Sequence, residues 1–262
     1  MKDPANALKA QYEDSRNFRQ RTALHARFGT NRYGWYQWVF DQFEQSDTAR
    51  ILELGCGPGA LWKRNLDRTS DAALIVLSDF SAGMLRDCAR NLGPGGTRVR
   101  LCQLDAALLP YRDQSFDTVV ANMMLYHVPD RARALRDIRR VLTPTGALYA
   151  TTTGRAYMRE LQETAWRILG VSRRATSAEL FGLETGWEQL RAVFPRVETR
   201  RYETSLRVTE TQPLLDYFLS MKPLVSPPPD RLSALREHFE GIISRQGEIA
   251  LPVDMGMLIA RN

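Results

Sequence analysis

Short apolar runs recur along the chain, and each is followed by a stretch whose apolar residues return every three or four positions. The runs at 51–54, 73–78, 99–104, 116–121 and 147–152 have the length and composition of buried strands. Between them, 60–66, 81–91 and 130–142 carry helical spacing. Met84, Leu85 and Cys88 share one face of the second of these, and Ala134, Leu135, Ile138, Val141 and Leu142 one face of the third. Ser81 and Asp130 stand where N-caps belong, and Gly93-Pro94-Gly95-Gly96 makes continuation of the second helix costly. Two more runs, at 197–202 and 248–260, bring the expected strands to seven. Alternation of this kind predicts an α/β fold built on a doubly wound, mostly parallel sheet.

The segments outside the alternation read as helical. Ahead of the sheet, Leu8, Tyr12, Phe18 and Leu24 mark one apolar side, interrupted at Gly29. Then Trp35, Val39 and Phe43 share a stripe, with Tyr36 and Phe40 on the next, the pattern of an amphipathic helix packing its aromatics onto the sheet. Helical spacing returns at 155–169, 177–181, 184–193 and 212–221, and, beyond Pro223 and Pro227-Pro228-Pro229, at 230–245. The expected organisation is an N-terminal helical lid (1–48), a core (49–153), a helical cap insertion (154–247) that includes a core strand near 197–202, and a final core strand (248–262) with a bend at Asp254-Met255-Gly256. An insertion after the fifth strand belongs at the ligand-bearing end of such a sheet, where acceptor specificity is expected to reside.

Candidate chemistry concentrates where the first strand ends. Glu53-Leu54 runs into Gly55-Cys56-Gly57-Pro58-Gly59, a tight turn from strand to helix. Glycines permit backbone angles that a Cβ forbids and let a ligand lie on the main chain, while the following helix start presents free N–H groups. The second run ends at Asp79, where a carboxylate at a strand tip can accept both hydroxyls of a ribose. The third ends at Asp105, and the fourth opens into Asn122-Met123-Met124-Leu125-Tyr126-His127. With these four motifs in order, residues 50–153 resemble the class I S-adenosylmethionine-dependent methyltransferases. Within them the likeness is to the small-molecule branch that includes ubiquinone and menaquinone methyltransferases.

The resemblance implies a Rossmann-like core, S-adenosyl-L-methionine as cofactor, and no metal. It implies that Glu53, Gly55, Cys56 and Gly57 cradle the methionine end, that Asp79 binds the ribose, that Asp105 beside Ala106 meets the adenine, and that Asn122 to His127 line the reaction site. Phe80 and Met84 stand next to the ribose acid and suit an adenine pocket wall, Met84 suiting ordinary helix packing equally. Asp105 also fits as the cap of a helical turn. A nicotinamide dinucleotide would use Gly55, Gly57 and Asp79, but it leaves Glu53 and Asp105 without a role and prefers glycine where Ala60 to Lys63 stand.

Two side chains are candidates for catalysis. His127, just past a strand tip, has a pKa suited to a general base, and it suits equally a histidine bonded to backbone that holds the loop. The second role agrees better with methyl transfer from a sulfonium, which needs chiefly alignment of an existing lone pair. Tyr126 competes as a polar wall. From the lid, Tyr33 leads His25, Arg32 and Tyr36 as residues that reach the active site. The implied reaction moves a methyl group to an oxygen, nitrogen or carbon of a small-molecule acceptor by in-line displacement.

Bulk properties narrow the classes only slightly. In 262 residues, 44% are apolar and 25% charged, which suits one catalytic domain with additions. The net charge of +6 leaves nucleic acid open as a partner, and with it an RNA methyltransferase; a non-catalytic cofactor-binding protein on the same scaffold is the third reading. A nucleic acid enzyme often carries an Asn/Asp-Pro-Pro-Tyr tetrad, and Asn122-Met123-Met124-Leu125 is not one. Cys56, Cys88 and Cys102 are odd in number and lack paired spacing, which argues against a disulfide framework or zinc site and suits a reducing cytoplasm. No apolar run has the length of a membrane span, and Met1-Lys2-Asp3-Pro4 does not open a secretion signal.

Overall fold

The computed structural model describes residues 13–44, 46–170, 175–220 and 227–262. Helices α1 (Arg16–Phe28) and α2 (Trp35–Asp41) precede β1 (Arg50–Leu54), α3 (Ala60–Lys63), β2 (Leu74–Asp79), α4 (Ala82–Leu92), β3 (Val99–Gln103) and β4 (Phe116–Asn122). Then come α5 (Arg131–Val141), β5 (Leu142–Thr153), α6 (Arg159–Leu169), α7 (Ser177–Phe181), α8 (Leu183–Arg191), β6 (Arg196–Arg201) and β7 (Ser205–Val208). The chain ends with α9 (Thr211–Leu219), α10 (Pro229–Gln246), β8 (Ile249–Pro252) and β9 (Met255–Arg261). Contacts divide these elements into two compact units.

The larger unit comprises Tyr33–Arg155, Thr176–Tyr202 and Met255–Asn262. Its seven strands run in the order β3-β2-β1-β4-β5-β9-β6. The pairs from β3 to β5 are parallel, and β9 is antiparallel to both its neighbours. This is the doubly wound, mostly parallel sheet expected. Strand order reverses between β1 and β4, which opens a crevice at their carboxyl ends.

Alternation along the strands gives each face of the sheet its own core. On one face Leu52, Leu54, Val119, Ala121 and Leu148 pack with Ala134, Leu135 and Ile138 of α5 and with Phe181 and Leu190 of α7 and α8. On the other, Ile51, Ile75, Leu77, Val120 and Tyr149 meet Val39 and Phe40 of α2, Leu61 and Trp62 of α3 and Cys88 of α4. Asp130 caps α5 by accepting the Arg133 N–H, and Ser81 caps α4 through Met84. Asp117 at the start of β4 pairs with Arg50, and the guanidinium holds its carboxyl below the usual range.

The smaller unit gathers α1, α6, α9, α10 and the β7–β8 ribbon. Gly29, which ends α1, bridges to Leu206, and Thr30 N–H donates to Ser205 O at 2.9 Å. Phe218 and Phe239 stack at 6.2 Å between α9 and α10. Tyr157 bonds His25 Nε2 at 2.7 Å, and burial lowers the imidazole's pKa to about 4.

Several boundaries differ from the sequence expectation. Residues 33–44, grouped with the lid, belong with the sheet because Val39, Phe40 and Phe43 are core there. Within the cap, 176–202 does the same through Phe181, Leu190 and β6. The final strand is two: β8 pairs with β7, and after Val253-Asp254 the chain enters the large sheet as β9. The helix after the glycines stops at Lys63, and a 3₁₀ turn at Leu66–Arg68 completes that connection. β5 begins at Leu142, five residues early, with a register shift opposite Phe116/Thr118. β3 is an edge strand, so Cys102 is only partly buried. Leu8, Tyr12, Met221 and Pro223 lie outside the described residues.

Gly256 of β9 lies opposite Arg201 of the antiparallel β6, and a Cβ there would lie 2.2 Å from Arg200 O. Gly256→Ala is expected to destabilise the fold by about 1–3 kcal/mol, read as a lower urea midpoint at unchanged slope; an unmoved midpoint would show that the sheet gives way at no cost.

Candidate functional site

The site is built from the carboxyl ends of β1 to β4. Beyond Leu54 the chain makes its turn with Gly55, Gly57 and Gly59 at φ of 64°, 55° and 74°, a region that disfavours any Cβ. The three glycines have different neighbours. A Cβ on Gly55 would press on Met124 Cβ at 2.9 Å, and one on Gly59 on Cys88 Sγ at 2.6 Å. Beside Gly57 there is nothing within 4 Å. The first and third glycines therefore let the turn pack down, and the middle one leaves a flank open against the main chain.

Backbone bonds hold the turn to β2. Cys56 N–H donates to Ser78 O at 2.8 Å, and Gly57 N–H donates to Asp79 Oδ2 at 2.9 Å. The other carboxylate oxygen of Asp79 accepts the Ser81 N–H at 2.8 Å. Burial raises the Asp79 pKa, and the two N–H donors oppose that shift. Each oxygen keeps lone-pair capacity for a further donor. Next to it Phe80 presents its ring to solvent at 50% exposure, whereas Met84 is buried at 1%.

Asp105 lies two residues beyond the end of β3. Its Oδ1 accepts the Ala107 N–H at 2.9 Å, the capping bond foreseen as its alternative, and the carboxylate remains exposed; Ala106 is buried. At the tip of β4, Asn122 Oδ1 accepts the Thr151 hydroxyl at 2.6 Å. Met123 follows at φ 55°, and its N–H donates to both O and Oγ1 of Thr151 at 3.2 and 2.9 Å. A non-glycine residue held there costs on the order of 1 kcal/mol, which the bifurcated hydrogen bond to Thr151 offsets. His127 closes a short 3₁₀ turn, its N–H donating to Met124 O at 2.8 Å and its ring 4.5 Å from that of Tyr126.

Glu53 is the buried acid of the site. It is 1% exposed, on the face of β1 opposite Leu52 and Leu54, and its Oε2 accepts Trp62 Nε1–H at 2.6 Å. Burial pushes its pKa up to about 8, with Trp62 pulling it down and the Asp79 charge pushing it further up. The structure thus brings Glu53, Gly55, Cys56, Gly57, Asp79, Phe80, Asp105 and Asn122 to one end of the sheet, with His127 on the loop that follows. Tyr33 is drawn elsewhere. Its ring is 55% exposed and its hydroxyl donates to Asp41, which also accepts Arg68, at the α2 end of the α3 connection. Among the described residues no group of three or more His, Cys, Asp or Glu is placed to hold a metal.

The geometry fits a nucleoside-bearing amino acid: a main-chain flank opened by Gly57, a carboxylate beside it, an exposed aromatic ring and a second acid on the next strand. A family model described as "Methyltransferase domain" matches residues 52–150, the stretch that contains these elements. By that match, residues 52–150 are similar to methyltransferase domains.

Two relatives share this domain. The chain is 33% identical over 124 residues to a ubiquinone/menaquinone biosynthesis C-methyltransferase of Haemophilus ducreyi, covering 46% of this chain and 47% of that one. It is 34% identical over 117 residues to a malonyl-[acyl-carrier protein] O-methyltransferase of Legionella pneumophila, covering 45% and 40%. The chain spans about half the length of the relatives it matches. The YcgJ protein of Bacillus subtilis superposes with a TM-score of 0.60 at 17% identity, over 87% of this chain and 98% of that one, a likeness of fold.

Several residues at the site carried no role in the sequence reading. Trp62, nine positions after Glu53, is its hydrogen-bond partner. Thr151, Thr152 and Thr153 tie the tip of β5 to Asn122, Phe181 O and Ser177. Three hydroxyls in a row at the end of an otherwise buried strand were the available signal.

A carboxyl that holds its proton to about pH 8 when folded but ionises near 4.5 when unfolded weakens the fold as pH rises between those values. The expected slope is roughly 1.4 kcal/mol per pH unit. Glu53→Gln keeps an acceptor for Trp62 and loses the titration. Melting of the ligand-free protein from pH 5 to 8 is therefore expected to fall more steeply for wild type than for the variant; parallel curves would show that Glu53 is ionised throughout.

Proposed function

We propose that this chain catalyses methyl transfer from S-adenosyl-L-methionine to a small-molecule acceptor. The observation that carries this is the open flank of Gly57 beside the Asp79 carboxylate, inside a domain of the methyltransferase class. The bound donor supplies an electrophilic methyl on a sulfonium. The protein's part is to hold donor and acceptor near contact and keep water out, which converts a bimolecular encounter into an aligned one. Asp79 accepts the ribose hydroxyls with the lone pairs left by Gly57 and Ser81, and Asp105 with the neighbouring Ala106 takes the adenine edge. Phe80 covers the purine with its exposed ring, Met84 supports it from below, and Gly55, Cys56 and Gly57 carry the chain toward the methionine end.

The acceptor belongs beside Asn122, where the strained Met123 and the Tyr126–His127 pair are held at a strand tip. The names of the relatives favour a quinone or a carrier-linked carboxylic acid as its class. His127 acts in this reading as a fixed wall of that loop. Tyr33 has its part in anchoring α2 through Asp41. We assign the reaction to the cytoplasm on the three unpaired cysteines, which suit a reducing compartment. No helix among the described residues is long and apolar enough to cross a membrane.

Asp79→Ala is expected to abolish binding of S-adenosylhomocysteine by titration calorimetry; unchanged affinity would remove the ribose role and with it the cofactor reading. Turnover of radiolabelled donor with a quinol or a carrier-bound acid tests the acceptor class. His127→Ala is expected to keep the pH profile of wild type with a modest loss of rate. A general base would instead cost about 10²- to 10⁴-fold and shift the profile.

A further inference from the structure

The glycine turn carries a thiol, and the helix packed against it carries another. Cys56 and Cys88 are both free, and both lie in the core on the α3–α4 side of the sheet. Their side chains are hydrogen-bond partners, which sets the two sulfurs side by side. The backbone around them is equally close. A Cβ on Gly59 would meet Cys88 Sγ at 2.6 Å and Cys88 Cα at 3.7 Å, and the Gly59 N–H donates to Cys56 O at 3.1 Å. One turn on from Cys88, the Asn91 side chain donates to Pro58 O at 2.9 Å. The third cysteine is out of reach, because Cys102 packs against the core of the opposite face. Of the pair, Cys56 is 7% exposed and Cys88 fully buried, so a reagent arriving from solvent meets Cys56 first.

Two thiols in contact, one sealed and one at the edge of solvent, have the arrangement of an attacking and a resolving cysteine. We propose that Cys56 and Cys88 form a reversible disulfide that pulls the glycine turn out of its ligand-binding shape, so that an oxidising environment switches off binding of the methyl donor. This rests on the methyl-donor reading of the turn. The step is thiol–disulfide exchange with a low-molecular-weight disulfide such as oxidised glutathione. The Cys56 thiolate attacks one of its sulfurs and a glutathione thiolate leaves; the Cys88 thiolate then attacks the Cys56 sulfur and expels the second. Two electrons pass from the protein to the small disulfide, and its two halves leave with the protons of the two cysteines. The Cys88 contact first, and burial next, hold the Cys56 pKa well above the ordinary thiol range, so exchange is slow and the reduced pair is the resting form. Closing an S–S bond of about 2.0 Å draws the turn toward α4. It has no room to follow, since Gly59 already lies against Cys88 and Gly55 against Met124. The displacement falls on the bond from the Gly57 N–H to Asp79, whose other oxygen is fixed by the Ser81 N–H at the start of α4.

The test incubates the ligand-free protein with oxidised glutathione and maps its disulfides by mass spectrometry. S-adenosylhomocysteine is titrated by calorimetry before oxidation, after it, and again after dithiothreitol. A Cys56–Cys88 cross-link is expected, with affinity lowered about 10-fold or more, a cooperative melt retained, and full affinity restored on reduction. Cys102→Ser is expected to respond as wild type does, and Cys88→Ala to stop at a glutathione adduct on Cys56. Absence of the cross-link in wild type, or a cross-linked protein with unchanged affinity, overturns the switch and leaves the donor reading standing. So does a cross-linked protein that has lost its cooperative melt, or a Cys102→Ser variant that no longer responds. Failure of the reduced wild type to bind S-adenosylhomocysteine overturns both.

Discussion

The hydrogen bond from the Gly57 N–H to the Asp79 carboxylate is the contact on which the site depends. A turn of three left-handed glycines has little side-chain packing of its own to hold it, and here it is fastened at two backbone donors to the tip of the neighbouring strand. Because β1 and β2 are parallel and in register from Arg50/Leu74 to Leu54/Ser78, the turn and the acid arrive at the same height. The sheet thus supplies the alignment, and the glycines supply a surface with no side chain in the way. Both are needed at the one place in the strand order where the winding reverses and a crevice must exist.

Around that contact the buried polar groups are arranged in pairs. Glu53 has Trp62, Asn122 has Thr151, and Ser78 donates its hydroxyl to Glu53 O at 2.7 Å. A buried acceptor left without a donor costs more than the bond itself contributes, so each pairing restricts which residues the site tolerates.

The arginines tell a related story. In the basic stretch of α5, Arg140 donates to Leu109 O and Tyr111 O and pairs with Asp113 and Asp137, fastening the segment that follows Asp105. Arg131 reaches Val128 O and Gln189, and Arg139 reaches Asn262. Charge that looks in the sequence like a face for anions is here largely engaged in holding loops. Such exposed pairs are individually modest, and their use is geometric.

Read alone, the sequence determined the fold class, the strand tips that carry Gly55, Gly57, Asp79 and Asp105, and the caps Ser81 and Asp130. Each is a local matter of period, of glycine's backbone freedom or of a side chain bonding three residues on. It did not determine that Tyr33 turns to Asp41, that Trp62 bonds Glu53, or that residues 248–262 divide between two sheets. Those outcomes depend on partners 8, 9 and more than 40 positions away. Partner choice of that kind is settled by which surfaces the sheet brings together, and only the tertiary structure decides it.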